Sequence, residues 1–148
     1  MTFPRANVSL DSALGYKPDY GAYVNGLSEK YVVLVAEFKH PTGRQKQLES
    51  DFIKLGKEMR CMINKLIKVG VEKPVVCGIL VNKNCLRTFC MELKAPMLYS
   101  QIQLSQVQLI RVSDDLPMLP MLIAKLYQVQ VFHINYGYEE YVPTHAFM

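Results

Sequence analysis

The run KYVVLVAEFK at residues 30–39 constrains the fold of this chain more than any other segment. Six of its residues in succession are apolar, so a strand formed here is apolar on both faces. Such a strand is stable only where other parts of the protein cover it from two sides. The run therefore predicts an interior strand of a sheet with helices on both faces.

The other strands follow from alternation and turn residues. Residues 17–25 are expected to form a strand that joins the apolar run through a turn at Asn25-Gly26. Three further strands are expected, at residues 74–82, 85–93 and 98–112.

Two helices complete the pattern. The first runs to about Val69, and its apolar residues recur with the period of one helical face: Leu48, Phe52, Leu55, Met59, Met62 and Leu66. The second is expected to be capped by Ser113 and to continue to about Val131. Its expected apolar residues are Leu116, Leu119, Ile123 and Leu126. The order of hairpin, helix, hairpin, strand and helix predicts an α/β protein with a mixed central β-sheet flanked by α-helices.

The chain is long enough for a single domain with its own hydrophobic core. It has 148 residues, of which 50% are hydrophobic and 20% charged, as in globular proteins. We expect residues 17–131 to form the core, residues 1–16 a poorly structured lead and residues 132–148 an irregular tail.

The composition favours an intracellular protein, cytoplasmic or nuclear, with no membrane partner. The four cysteines form no C-x-x-C pair and lie in apolar runs, which is typical of reduced thiols. No apolar segment approaches the roughly 18 residues of a membrane span. The first residues lack the apolar stretch of a secretory signal. The net charge of +4 tolerates a polyanionic partner without demanding one.

An acid and a base end the apolar run, and a second acid lies at the start of the preceding strand. Glu37 and Lys39 are two residues apart, so their side chains share a face of the sheet. If Asn25 pairs with Tyr31, Asp19 lies directly opposite Glu37. A register shifted by one residue would place the two acids on opposite faces. Charges at the mouth of a buried strand are costly without a partner or a role, so they form a candidate site.

This set of side chains fits phosphodiester hydrolysis. Two adjacent carboxylates repel each other, and a divalent cation removes the conflict. Mg²⁺ is commonly held by one or two carboxylates together with water and phosphate oxygens. It lowers the pKa of a bound water and polarises a phosphoryl group, and a neighbouring lysine can hold or deprotonate the attacking water. Asp19, Glu37 and Lys39 supply these groups.

The same residues carry a family resemblance. Pro18-Asp19, a gap of seventeen residues, and Glu37-Phe38-Lys39 at the end of an apolar strand resemble the PD-(D/E)XK nuclease superfamily, whose fold is that of type II restriction endonucleases. The resemblance covers residues 17–81 well and the rest loosely. It implies a restriction-endonuclease-like fold with the N-terminal helix short or missing.

The resemblance also implies a function. Asp19 and Glu37 would bind Mg²⁺ (or Mn²⁺), and Lys39 would serve the attacking water in the hydrolysis of DNA or RNA. Asp51 and Lys54 on the first helix would support the site. Substrate binding would come from lysines of that helix: Lys46, Lys54 and Lys57. Many enzymes of this architecture form a homodimer to cut both strands.

Other interpretations stay open. The shortened N terminus also fits a catalytically degenerate nuclease-like fold that acts as a nucleic-acid or protein binding module. Alternatively, Asp19 is an acid beside a turn, and Glu37 with Lys39 is a solvent-exposed ion pair of an interaction domain. The lysines of the first helix are equally consistent with a solvated surface.

Overall fold

The computed structural model describes residues 18–25, 30–39 and 45–137, and within them the side chains of residues 18–22, 31–39 and 51–131. The expected order of elements is confirmed. These elements are β1 (Tyr20–Asn25), β2 (Lys30–Lys39), α1 (Gln45–Lys68), β3 (Val75–Asn82), β4 (Cys85–Ala95), β5 (Leu98–Gln108), a 3-10 helix (Ser113–Met118) and α2 (Leu119–Gly137). The expected lead at residues 1–16 lies outside the described residues.

The five strands form one mixed sheet in the order β1-β2-β3-β4-β5. The β2 and β3 strands are parallel because α1 carries the chain back between them, whereas the other neighbouring pairs are antiparallel. The apolar run is therefore an interior strand, paired on both edges. The sequence prediction of an α/β fold with a mixed sheet and helices is confirmed.

The main core lies between α1 and one face of the sheet. Four of the six apolar residues expected on this helix face are buried here: Leu55, Met59, Met62 and Leu66. Ile63 of the same helix is buried with them. They pack against alternate residues of β3 and β4, including Val76, Leu80 and Phe89. Phe52 is 43% exposed but contacts Phe89 with ring centroids 5.4 Å apart. The side chain of Leu48 lies outside the described residues.

Gly78 on β3 allows the close approach of α1. A Cβ atom at this position would lie 2.7 Å from the Met59 sulfur and 3.2 Å from a Leu55 methyl carbon. We predict that Gly78→Ala lowers the free energy of unfolding by about 1–3 kcal/mol, because the helix must move away from the sheet. Gly21→Ala is the matched control, since a Cβ there would make only ordinary contacts of 3.5 Å or more. Urea unfolding of the two variants measures the difference, and equal stabilities would contradict this account.

The second helix covers the other face with a different side from the one expected. Leu122 packs on Val81, Leu86 and Val107, and Val129 is 4% exposed. The expected apolar residues are instead 37–55% exposed: Leu116, Leu119, Ile123 and Leu126. The prediction was wrong because α2 is apolar nearly all round, so its sequence period does not select one face.

Both ends of the second helix also differ from the prediction. Residues 113–118 form a 3-10 helix, and the Asp115 carboxylate, rather than the Ser113 hydroxyl, accepts hydrogen bonds from the backbone N–H groups of Arg111 and Val112. At its other end, α2 continues to Gly137, into the segment expected to be irregular. No proline or glycine lies between Val131 and Gly137 to stop it.

Two of the four cysteines, which were expected to be buried, reduced thiols, are buried, and the other two are half-buried. Cys77 and Cys90 are buried on paired positions of β3 and β4, and none of the four cysteines forms a disulfide. Burial raises the pKa of Cys77 to about 12, with a smaller effect of Cys90 in the same direction. Within the described residues, neither helix has the combination of length and apolar character that crossing a membrane requires.

Candidate functional site

The end of β2 presents its charged residues to the first helix. Glu37 and Lys39 lie on the face of the sheet that α1 covers, because alternate residues of β2 point that way. Glu37 is only 4% exposed, whereas Phe38, between them, points to the other face and is 54% exposed. The expected shared face of the acid and the base is confirmed by their contacts with α1.

One side of α1 supplies the partners of both residues. Asp51, Lys54 and Glu58 are spaced three and four apart, so they align along the helix. The Lys54 Nζ atom lies 2.7 Å from Glu37 Oε1, and the Lys39 Nζ atom lies 3.0 Å from Asp51 Oδ1. Two ion pairs therefore join the helix to the end of the strand.

Asp19 reaches the same place from the neighbouring strand. It precedes β1, and its Oδ2 atom accepts a hydrogen bond of 2.8 Å from the backbone N–H of Phe38. The side chain thus continues the pairing of β1 with β2 beyond the last backbone pair. The charge of Asp19 also contributes to the pKa of Lys54, which places it within the field of the cluster. We call Asp19, Glu37, Lys39, Asp51, Lys54 and Glu58 the charged cluster.

The hairpin register that brings Asp19 to Glu37 depends on a bulge. The expected pairing of Asn25 with Tyr31 is wrong, because Asn25 pairs with Lys30. A bulge opposite Ala22 and Tyr23 places one extra residue in β2, and beyond it the pairing follows the expected register. Tyr20 then pairs with Ala36, and the next position along would set Asp19 against Glu37 as expected.

The charged cluster holds four carboxyl groups and two ammonium groups, and three of the carboxyl groups are shielded from water. Asp51 is 4% exposed and Glu58 is fully buried. The pKa of Glu58 is raised to about 7, mainly by burial and also by the charge of Glu37, while Lys54 opposes both effects. Burial lowers the pKa of Lys54, but the hydrogen bond to Glu37 and the nearby acids outweigh this effect and raise it overall.

Several carboxylate oxygens of the cluster have unused hydrogen-bonding capacity. Within the described residues, Asp51 Oδ2 and both Glu58 oxygens have no hydrogen-bond partner of good geometry. Glu58 Oε1 lies 3.6 Å from Lys54 Nζ, which is an ion-pair contact and too long for a strong hydrogen bond. The Glu58 carboxyl also lies close enough to Glu37 to hydrogen-bond with it when it is protonated.

The structure separates the residues predicted from sequence into two groups. It brings together Asp19, Glu37, Lys39, Asp51 and Lys54. Lys57 is on another side of α1, where it lines a surface groove, and the Lys46 side chain lies outside the described residues. Sequence reasoning missed Glu58, although its spacing from Asp51 and Lys54 was a signal that could have identified it.

The cluster can be tested for its capacity to hold a metal ion. In the part of the chain that the structure describes, no three His, Cys, Asp or Glu side chains are arranged to hold a metal ion together. A site with fewer protein ligands remains compatible with Mg²⁺, which often keeps several waters and uses one or two carboxylates. The excess of carboxyl over ammonium groups also matches a cation.

The raised pKa of Glu58 predicts a specific pH dependence of stability. The unfolded carboxyl ionises near pH 4.5 and the folded one near pH 7, so folding binds a proton between these values. The stability contribution is complete below pH 4.5 and is lost as the pH rises through 7, by about 3 kcal/mol in all. We predict that the Glu58→Gln variant, whose side chain cannot ionise, does not lose this stability between pH 4.5 and pH 8.

Urea unfolding of metal-free protein between pH 4 and 8 measures this effect. The difference in unfolding free energy between Glu58→Gln and the wild type is expected to grow with pH in favour of the variant. Glu72→Gln, at an exposed position after α1, is the matched control and is expected to follow the wild type. Parallel curves for Glu58→Gln and the wild type would show that Glu58 ionises normally.

Comparison of the chain with models of protein families, with curated protein sequences and with solved structures gives no match.

Proposed function

We propose that this protein is a metal-dependent nuclease that hydrolyses phosphodiester bonds in DNA or RNA, with a restriction-endonuclease-like fold. One observation carries the proposal. Asp19 from the start of β1 meets the end of β2 beside Glu37, where Glu37 and Lys39 share a face of the sheet. Two acids and a lysine from adjacent strands are the residues that the family resemblance requires.

The order of elements around the cluster supports the same proposal. A hairpin carries the acids and the lysine, an amphipathic helix follows, and the next strand is parallel to the one that ends at Lys39. This arrangement agrees with what the resemblance implies for the core of the fold. The helix expected to be short or missing would precede β1, in residues outside those described.

The residues present fit a hydrated divalent cation. Asp19 and Glu37 would hold Mg²⁺ or Mn²⁺, which would supply a water of lowered pKa and a polarised phosphoryl oxygen. Asp19 keeps a second carboxylate oxygen beyond the one bonded to Phe38. Glu37 would have to turn from Lys54, which now contacts its Oε1 atom at 2.7 Å.

The lysines have distinct proposed roles. The Lys39 ammonium group can donate hydrogen bonds to an attacking water and to a non-bridging phosphate oxygen, where negative charge develops. Asp51 orients Lys39 through the 3.0 Å ion pair. Lys54 compensates the charges of Glu37 and Glu58 when the site is empty of substrate, and its three N–H donors suit a phosphate.

The same ion pairs favour a second candidate function. Glu37 and Lys39 each already contact an oppositely charged residue of α1, so the charges of these two residues are compensated within the protein. A catalytically degenerate nuclease-like fold that binds nucleic acid or protein would keep such pairs. Binding of Mg²⁺ distinguishes the candidates, because the degenerate module has no need of it. The possible homodimer stays a prediction under either function.

Cleavage and metal binding in the same preparations test the proposal. Metal-free protein is titrated with Mg²⁺ and Mn²⁺ and incubated with supercoiled plasmid, duplex DNA and single-stranded DNA and RNA. We expect cleavage that requires the metal and is abolished by Asp19→Asn, whereas Asp114→Asn, in the exposed 3-10 helix, behaves as the wild type. Absence of cleavage with every substrate and metal would contradict the nuclease function.

A further inference from the structure

A groove on the other side of α1 combines aromatic, cationic and amide groups. It has a volume of about 310 Å³ and lies between α1 and the β4–β5 hairpin. Phe52 and Tyr99 provide aromatic walls, Lys57 and Arg60 provide positive charge, and none of the described side chains that line it is acidic. The Arg60 guanidinium carbon lies 5.9 Å from the centre of the Tyr99 ring, which makes a cation–π contact.

Gly56 lets the Gln101 amide lie close to α1 in the wall of this groove. A Cβ atom at Gly56 would lie 2.8 Å from Gln101 Oε1, so with any other residue at this position the amide of Gln101 would have to shift. Glycine inside a helix costs about 1 kcal/mol relative to alanine. The Gln101 Nε2 atom is shielded from water and has no hydrogen-bond partner within the described residues. A hydrogen-bond acceptor bound in the groove would satisfy this N–H group and remove the free-energy cost of leaving it unpaired.

We infer that this groove binds an unpaired nucleobase of a single-stranded nucleic acid together with its adjacent phosphate. A base presents a planar π-face to Phe52, and to Tyr99 once the Arg60 guanidinium moves from that ring to the phosphate. The carbonyl or ring nitrogen atoms of the base can accept from the Gln101 amide. The phosphate is complementary in charge to Lys57 and Arg60. Stacking requires a base removed from a duplex, so the groove selects a single strand over double-stranded DNA.

The groove and the charged cluster lie on opposite sides of the same helix. Asp51, Lys54 and Glu58 face β2, whereas Gly56 and Arg60 face the β4–β5 hairpin. An α-helix with its side chains is about 10–12 Å across, so a strand bound in the groove needs only a few nucleotides to reach the charged cluster. This link to cleavage rests on the proposed function, but binding in the groove does not.

Binding measured without metal separates this inference from the cleavage proposal. Fluorescence anisotropy in EDTA compares a labelled dT₁₂ strand with an abasic strand of equal length, which keeps the phosphates and lacks the bases. We expect Tyr99→Ala to weaken binding of dT₁₂ about tenfold and to leave binding of the abasic strand nearly unchanged. Tyr127→Ala, an exposed tyrosine on α2, is the matched control and should bind both strands as the wild type does.

Two more variants keep the test informative if Tyr99→Ala is destabilised. Tyr99→Phe removes the 2.6 Å hydrogen bond from the tyrosine hydroxyl to Asn64 but keeps the ring, so it should retain wild-type affinity for dT₁₂. Lys57→Ala, at an exposed position, should reduce the slope of log affinity against log salt by about 0.7. Equal losses for dT₁₂ and the abasic strand in Tyr99→Ala, or an unchanged salt slope in Lys57→Ala, would overturn the inference, whatever the outcome of the cleavage assays.

Discussion

Replacing Lys39 by methionine is expected to lower the rate of metal-dependent phosphodiester cleavage about 10³-fold. Of the two ammonium groups in the charged cluster, that of Lys39 lies on the same strand and the same face as Glu37, whereas that of Lys54 lies on α1. Its loss removes the group that would position the attacking water and stabilise the charge on the phosphate. The binding of Mg²⁺ is expected to persist, since the two carboxylates remain.

Two comparisons make this prediction specific. Asp51→Asn leaves Lys39 in place but weakens its orientation, and we expect a smaller loss of about 10–100-fold. Lys65→Ala, exposed in the last turn of α1, removes a positive charge far along the helix and should leave the rate unchanged. Initial rates are measured with the same substrate well below the melting temperature of each variant. Undiminished cleavage by Lys39→Met would remove Lys39 from the mechanism.

Replacing Lys54 by methionine is expected to destabilise the metal-free protein and to increase the stabilisation that Mg²⁺ provides. This change leaves Glu37 and Glu58 without their cationic partner while both are buried. Breaking a buried ion pair costs several kcal/mol, but Lys54 is 34% exposed, so we expect a loss of about 2 kcal/mol in EDTA. If Glu37 is a metal ligand, Mg²⁺ should then restore more stability to the variant than it adds to the wild type.

Thermal melting with and without Mg²⁺ measures both effects. The double variant Lys54→Met with Glu58→Gln is the matched control, because it removes a buried charge together with the lysine and should regain part of the stability in EDTA. An equal shift of the melting temperature by Mg²⁺ in the wild type and Lys54→Met would show that Lys54 does not compete with a metal ion. No shift in either protein would favour the binding module over the nuclease.

The juxtaposition of Asp19 and Glu37 shows how far sequence reasoning about the site could go. Alternation along β2 placed Glu37 and Lys39 on one face, and counting across the hairpin placed Asp19 opposite Glu37. The count rested on the wrong pair at the turn and was corrected by the bulge between Ala22 and Tyr23. A bulge inserts a residue without changing the alternation elsewhere, so its position could not be read from the sequence.

The partners of these residues depended on the position of the helix. Asp51 and Lys54 were expected near the site, but their pairing with Lys39 and Glu37 follows from how α1 lies over β2. That position is set by contacts distant in sequence, such as the approach of Met59 to Gly78. Lys57, one turn from Lys54 in sequence, lies on the other side and contributes to the groove instead.

The sequence by itself determined the order of the elements and the faces of β2 and α1, because the period of apolar residues along a strand or an amphipathic helix depends only on local geometry. It did not determine the face that α2 buries, since a helix that is apolar nearly all round can pack in several orientations. Only the tertiary structure brought Glu58 into the charged cluster and formed the groove beside Gly56. Both depend on the rotation and height of α1 above the sheet, which many side chains from separate parts of the chain fix together.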